Sequence, residues 1–369
     1  MQTGSRPRNS LVAIDLLRFG AAAMVMLCHY FGQWALSARL GLNADPTLSG
    51  LPSNNWIHSG WVGVEIFFVI SGYVIALSAT DSTAADFARR RLLRLWPGAL
   101  VCATITALVL LAAGVPWPQL VLPYAGSAML GLVGGDIDPV YWTLQVECIF
   151  YALVAILLAT GRWNAVRVGL ALSLWSLAYL SWTLVFGTAS AVAPLAELLL
   201  APFGAFFGMG ILIQQAHRDP ASVKVWMFLP SFVAAPVCIQ GFIAADGGLL
   251  SFEPLLLFGL GVAVIALSAK LQRPLGSDRL RRCAVALGLA TYPLYLLHQF
   301  VGEAMLIGAA SLGLSPALMV APVILAMIAA ALFIALRIEP FLRTRLDRLL
   351  RPRLRAAETG AQASVAGSP

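Results

Sequence analysis

The chain has 369 residues, of which 60% are hydrophobic and only 11% are charged. Soluble globular domains carry roughly 25% charged residues, so this composition excludes an ordinary soluble protein and predicts an all-α integral membrane protein. The net charge of +7 is explained by basic segments that lie between apolar ones. We therefore expect membrane lipids, and not nucleic acid, as contact partners.

Continuous apolar segments of the length needed to cross about 30 Å of hydrocarbon predict the transmembrane helices. Ten such segments follow one another, and the boundary between the fifth and the sixth is short. In chain order they cover residues 11–36, 57–79, 95–114, 140–160, 166–186, 191–213, 225–244, 249–269, 284–308 and 316–337. We divide the chain into a transmembrane domain of residues 1–338 and a basic cytoplasmic tail of residues 339–369, whose last fourteen residues we expect to be disordered.

Lys and Arg concentrate in alternate connections between these segments. With ten spans, every strongly basic connection falls on one side of the membrane, and the other side holds Arg39 as its single basic residue. Basic connections remain in the cytoplasm, so the pattern places both termini there. The basic stretch of residues 339–355 fits a short amphipathic helix at the inner leaflet.

The first apolar segment carries two ionisable side chains, Arg18 and His29. Their spacing of eleven residues brings them within about 20° of the same helix face and roughly 16 Å apart along the axis. An Arg in hydrocarbon costs about 2.5–3.5 kcal/mol on insertion scales, and a helix that serves only as an anchor has no reason to carry it. The pair therefore predicts a functional site inside the membrane.

Glu147, in the fourth segment, is the predicted partner of His29. The first helix runs outward and the fourth runs inward, so both side chains fall in the outer half at a similar depth. A carboxylate can fix the tautomer of an imidazole, whose other nitrogen then accepts a proton from a substrate hydroxyl. The alternative is that His29 only forms a hydrogen bond to a neighbouring carbonyl.

An arginine-rich segment at the start of the third helix is the candidate site for an anion. Arg91 and Arg94 are three residues apart, so they project from one helix face at the inner membrane edge. Their planar guanidinium groups suit bidentate binding of phosphate. The alternative is that Arg89, Arg90 and Arg91 act only as a topology signal.

Several other polar residues in the apolar segments have an equally good structural explanation. Glu65 lies in the outer half of the second segment, where a carboxylate can reach interfacial water. His298 lies within the ninth segment, three residues after Tyr295, and a structural hydrogen bond explains it as well as catalysis does. The five cysteines form no CxxC pair, so neither a zinc site nor a disulfide framework is predicted.

Five sequence elements, in order along the chain, resemble those of the acyltransferase 3 family, bacterial inner-membrane O-acyltransferases with ten core helices. The resemblance covers about residues 10–337. The elements are the Arg-x10-His pair of Arg18 and His29, the stretch Gly63 to Tyr73, the arginine-rich segment Phe87 to Pro97, the stretch Tyr141 to Glu147, and the stretch Thr291 to His298. Glu65 replaces the more usual Asp, and Cys148 stands where many members have a second Glu.

The resemblance implies transfer of an acyl group, usually acetyl, from cytoplasmic acyl-CoA to a hydroxyl of a cell-surface or lipid-linked glycan. A macrolide or another small molecule is the alternative acceptor. The resemblance also implies a multi-pass location in the bacterial inner membrane. Acyl-CoA is then a co-substrate, and neither a bound cofactor nor a metal is expected.

The family motifs also suggest a role for each candidate residue. We expect His29 to act as general base, Glu147 to orient it, and Arg18 either to stabilise negative charge on the reacting carbonyl or to position that carbonyl. The expected acyl-CoA-binding residues are Arg90, Arg91 and Arg94. Possible substrate-site residues are Glu65, Ser71, Tyr73, Trp142, Tyr295 and His298. The competing class is a secondary transporter or flippase for a lipid-linked glycan, in which the same ionisable groups relay protons.

Overall fold

The computed structural model describes residues 11–32, 54–131, 134–187, 193–245, 250–271 and 277–350. Every regular element in these ranges is helical, which confirms the all-α prediction for the described part of the chain. In chain order the helices are α1 (Val12–Gly32), α2 (Asn55–His58), α3 (Gly63–Ala79), α4 (Ala84–Ala112), α5 (Trp117–Ala128), α6 (Trp142–Ala159), α7 (Ala165–Phe186), α8 (Ala193–Leu198), α9 (Gly204–Arg218), α10 (Leu229–Ala245), α11 (Glu253–Leu271), α12 (Asp278–Leu297), α13 (Phe300–Ser311) and α14 (Pro316–Phe333).

Eight helical segments are long and apolar enough to cross a membrane, and α12 with α13, bent by 64°, make a ninth if they form one broken span. The predicted count of ten is therefore not confirmed. The difference lies at the predicted sixth segment, 191–213, where the chain forms α8 of 6 residues and a separate α9 of 15 residues. Leu200, between them, has a φ of 58°, in the left-handed region that stops a right-handed helix.

Glycines allow the short helix α9 to pack at the centre of the bundle. A Cβ at Gly210 would lie 1.9 Å from the carbonyl oxygen of Val69 on α3. A Cβ at Gly72 would lie 2.2 Å from the carbonyl oxygen of Phe207 on α9. The backbones of α3 and α9 therefore touch directly, as small residues permit between membrane helices.

Helix α1 lies between two apolar clusters. One cluster is built mainly from α3 and α9 and includes Ile14 of α1. The other is built mainly from α4, α12 and α14 and includes Met26 of α1. Phe67, Tyr151 and Tyr295 pack against both clusters. We call the boundary lined by α1 and these three aromatic residues the seam, because the polar side chains of the bundle gather along it.

The last helix continues beyond its apolar part. After α14 the chain passes through one π-helical turn and remains helical to residue 350. This extension lies against the start of α4, where Arg343 Nε donates to the Leu93 carbonyl at 3.1 Å and Asp347 pairs with Arg89 at 2.5 Å. The predicted tail helix is thus docked on the bundle as far as it is described. Residues 351–369, which include the predicted disordered end, lie outside the described residues.

Candidate active site

Two imidazoles form one end of the polar seam, which we call the imidazole end. His29 lies near the end of α1, and His298 directly follows α12. Nδ1 of His29 and Nε2 of His298 are 2.8 Å apart. The ring planes differ by only 9° and the ring centroids are 5.0 Å apart, so the rings meet edge to edge with the hydrogen bond in the ring plane. His298 is fully buried, whereas His29 is partly exposed.

The break between α12 and α13 fixes the position of His298. Its Nδ1 lies 2.8 Å from the carbonyl oxygen of Tyr295, and its own carbonyl accepts a hydrogen bond from the Tyr30 hydroxyl at 2.8 Å. The backbone N–H of Phe300, at the start of α13, donates to Oδ2 of Asp138 at 2.9 Å. The break therefore leaves these backbone groups paired, as buried polar groups require.

Glu147 makes its hydrogen bonds away from His29. Its Oε1 accepts one from Ser71 Oγ at 3.1 Å and one from the hydroxyl of Tyr151. Among the described residues the imidazole pair thus replaces the predicted pairing of His29 with Glu147. Depth can be counted along a helix, but the direction of a side chain around the axis depends on neighbouring helices, and α1 packs mainly against α12 and α3.

Arg18 lies on α1 between the imidazole end and the remaining polar residues. It is partly buried, and Asp15, Arg94 and Glu147 are close enough to interact with it electrostatically. Within the described ranges no hydrogen bond fixes its guanidinium. Its N–H donors are therefore available to a ligand with a carbonyl or an anionic oxygen. Its predicted role in stabilising negative charge stays a prediction.

Arg91 begins the opposite end of the seam, which we call the arginine end. Its guanidinium carbon lies 5.3 Å from the ring centre of Phe87 and 5.5 Å from that of Tyr151. It also donates a hydrogen bond to Ser78 Oγ. Because Tyr151 donates to Glu147 as well, this tyrosine links the arginine end to the buried carboxylate.

Arg94 completes the arginine end and faces a carboxylate that the sequence analysis missed. Its Nη1 lies 3.7 Å from Oε2 of Glu339, and its guanidinium carbon lies 5.5 Å from the ring centre of Tyr292. Glu339 is only 1% exposed and is also paired with Arg343 at 3.3 Å. The available signal was a single Glu in an otherwise basic segment. Arg90, by contrast, is exposed and lies outside this cluster.

Three other predicted substrate-site residues have separate surroundings. The Tyr73 hydroxyl lies 3.1 Å from Nδ1 of His217 on α9. Trp142 packs on Phe203, with ring centroids 5.5 Å apart. Glu65 is 2% exposed, and its Oε2 has no hydrogen-bond partner in the part of the chain that the structure describes. Of the predicted substrate-site residues, Ser71, Tyr295 and His298 thus lie along the seam. The other three have surroundings of their own.

Comparison with known proteins identifies the family. The family model described as acyltransferase domain matches residues 11–336. Nodulation protein 10 of Rhizobium leguminosarum bv. viciae is 28% identical over 335 residues, which cover 78% of this chain and 83% of that protein. An O-acetyl transferase of Shigella phage Sf6 is 37% identical over 93 residues, which cover 25% of this chain and 24% of that protein. No solved structure matches.

The family match covers nearly all of the described helices and both ends of the seam. It agrees with the order of sequence elements from Arg18 to His298 and with the apolar helices of the fold. The chain belongs to the acyltransferase 3 family and is a multi-pass membrane acyltransferase.

Proposed function

We propose that the protein moves an acyl group, acetyl by preference, from acyl-CoA on the cytoplasmic side to a hydroxyl of a cell-surface or lipid-linked glycan. The proposed location is the bacterial inner membrane. Similarity to an O-acetyl transferase supports acetyl as the transferred group. The basic segments between apolar ones support an arrangement in which the arginine end faces the cytoplasm.

One observation carries this proposal. A single helix, α1, holds His29 against a second imidazole, and Arg18 on the same helix lies close enough to Glu147 and Tyr151 of the seam to interact with them electrostatically. An imidazole and a cation are thus held on one helix, at the boundary between two apolar clusters. Intramembrane ionisable residues are costly, and such residues mark sites of function.

In the proposed reaction His29 is the general base. Its free ring nitrogen takes the proton of the acceptor hydroxyl while the hydroxyl oxygen bonds to the carbonyl carbon of the thioester. The carbonyl oxygen becomes negatively charged, and Arg18 stabilises that charge. When the intermediate collapses, the carbon–sulfur bond breaks and the proton passes from His29 to the departing sulfur. The products are an ester and free CoA thiol.

The arginine end is the proposed site for the phosphates of acyl-CoA. Arg94 faces Glu339 at 3.7 Å, which exceeds the length of a normal hydrogen bond, so a phosphate can compete for its donors. Arg91 is held by Ser78, but its Nε has no partner among the described residues. Arg90 is exposed and can make the first contact with CoA. No bound cofactor or metal enters this scheme.

Purified full-length protein in detergent provides the test. It is incubated with acetyl-CoA and envelope glycans, and released thiol and acetylated product are measured by absorbance and mass spectrometry. We expect product only with both substrates and with His29 intact. Because no proton gradient exists in detergent, gradient-driven transport cannot produce this result. Absence of transfer, together with gradient-driven movement of a lipid-linked glycan in vesicles, would instead identify a transporter or flippase. Acetylation of a macrolide alone would reassign the acceptor.

A further inference from the structure

We infer that His298 is a positioning residue that sets the tautomer of His29, so that Nε2 of His29 carries the lone pair used as base. This inference rests on the proposed function, because it concerns the same proton transfer. It assigns to a second imidazole the task that the sequence analysis gave to Glu147.

The first step concerns His298 and Tyr295. The carbonyl oxygen of Tyr295 can only accept a hydrogen bond, so Nδ1 of His298, at 2.8 Å, must donate to it. A neutral imidazole carries one N–H. Nε2 of His298 therefore has a lone pair and no hydrogen, and it is an acceptor.

The acceptor nitrogen of His298 determines which ring nitrogen of His29 carries the hydrogen. Nε2 of His298 accepts, so Nδ1 of His29, at 2.8 Å, must be the donor. The nearly coplanar, edge-to-edge rings suit such an in-plane N–H···N hydrogen bond. With its hydrogen on Nδ1, His29 has its lone pair on Nε2. That nitrogen is without a hydrogen-bond partner among the described residues, and the His29 side chain is partly exposed, so its lone pair is unused.

The third step asks whether His298 can keep this orientation. Its side chain is fully buried, and the Tyr30 hydroxyl holds its carbonyl at 2.8 Å. A Cβ at Gly302, one turn later, would lie 1.9 Å from the Tyr30 hydroxyl oxygen, so Tyr30 fits against α13 without spare room. The acceptor for His29 is therefore built into the break between α12 and α13.

The pair also suits both halves of the reaction. When Nε2 of His29 takes the proton, Nδ1 keeps its hydrogen and continues to donate to His298. The proton therefore stays on Nε2, from which it passes to the departing CoA sulfur. A neutral imidazole provides this orientation without adding a negative charge beside the developing oxyanion.

Two amide variants separate the two hydrogen bonds of His298. His298→Gln places an amide oxygen near the original Nε2 and keeps an acceptor for His29. His298→Asn places its amide near the original Nδ1, so it keeps the contact to Tyr295 but does not reach His29. We expect His298→Asn to lower kcat by about 100-fold with an unchanged KM for acetyl-CoA, and His298→Gln to recover at least about tenfold of that loss. Equal elution and melting temperature establish that both variants are folded.

Activity of His298→Asn equal to that of His298→Gln, or a wild-type kcat in both, would overturn the inference. The control Tyr30→Phe removes the bond to the His298 carbonyl and leaves the ring acceptor, so it should affect kcat less than His298→Asn. His29→Gln separates the two proposals. If His29→Gln is inactive while His298→Asn is fully active, only the role of His298 fails. If His29→Gln is fully active, the proposed base fails as well.

Discussion

The two ends of the seam hold their polar groups in different ways. At the imidazole end, the three hydrogen bonds that join His29, His298, Tyr30 and the Tyr295 carbonyl are each 2.8 Å long, and His298 is fully buried. At the arginine end, Arg94 lies 3.7 Å from Glu339 and rests on an aromatic face. The first arrangement fixes the orientation of the proposed base, whereas the second leaves cations able to exchange partners with the proposed ligand.

The largest effect should come from the imidazole end. His29→Ala removes the proposed base, and we expect kcat to fall by about 1,000-fold, within the range for general base catalysis. Release of free CoA thiol by purified protein measures this. The KM for acetyl-CoA should stay within about twofold, because the arginine end is unaltered. A raised KM with an unchanged kcat would contradict the assignment of catalysis to the imidazole end and of binding to the arginine end.

A smaller effect, on binding and not on rate, should come from the arginine end. Arg94→Gln removes one of the proposed phosphate contacts, so we expect the KM for acetyl-CoA to rise about tenfold, equivalent to about 1.4 kcal/mol, with kcat unchanged. Steady-state kinetics at varied acetyl-CoA measure this.

The double variant Arg94→Gln/Glu339→Gln separates the effect on binding from the cost of a buried, poorly paired Glu339. Arg89→Gln is the matched control, because Arg89 pairs with Asp86 and Asp347. An unchanged KM would favour the topology-only explanation of the arginines.

Alanine substitutions at two glycines, one at each end of the seam, test how rigidly each end holds its polar groups. An added methyl at Gly302 meets the Tyr30 hydroxyl oxygen at 1.9 Å, and one at Gly98 meets Glu339 Oε1 at 2.6 Å. We expect Gly302→Ala to lower kcat about fivefold, equivalent to about 1 kcal/mol, because Tyr30 positions His298. Gly98→Ala should change KM but not kcat. Gly308→Ala, with no atom within 4 Å of the new methyl, is the control on α13. Equal kcat losses at both glycines would remove the contrast between the ends.

The smallest effect should come from the ion pair that docks the last helix. Arg89 and Asp347 are 17% and 21% exposed, so solvent weakens their interaction. We expect Asp347→Asn to lower the free energy of unfolding by about 0.5 kcal/mol and to leave kcat unchanged. Thermal unfolding in detergent measures this. A large loss of activity would mean that the docked extension shapes the arginine end and does not merely cover it.

The sequence predicts the apolar helices well but not their interruptions. Hydropathy identifies most spans because length and composition decide whether a segment crosses hydrocarbon. It cannot detect that Leu200 adopts a left-handed conformation, which divides the predicted sixth span, or that the ninth bends after Leu297. Those breaks depend on tertiary contacts such as the Asp138 cap at Phe300.

In the candidate site, too, the sequence predicts features along one helix but not those that depend on neighbouring helices. The positions of Arg18, His29 and Glu147 along their helices could be predicted from the chain, because such a position is a count of residues along an axis. The partner of His29 could not, because helix rotation is set by packing and not by a local pattern. Glu339 was missed because it lies beyond the apolar segment, in a stretch whose basic residues suggest only a cytoplasmic tail.

The imidazole pair joins residues 269 positions apart in the chain. During synthesis α1 is made long before α12. His29 therefore has no His298 to pair with while most of the protein is being made. On the proposed mechanism, a nascent chain that stops before the break at His298 has α1 and its cation but lacks the acceptor that orients His29. If the proposed role of His298 holds, acyl transfer begins only after α12 has been made and inserted, and the onset of catalysis is tied to the completion of biogenesis.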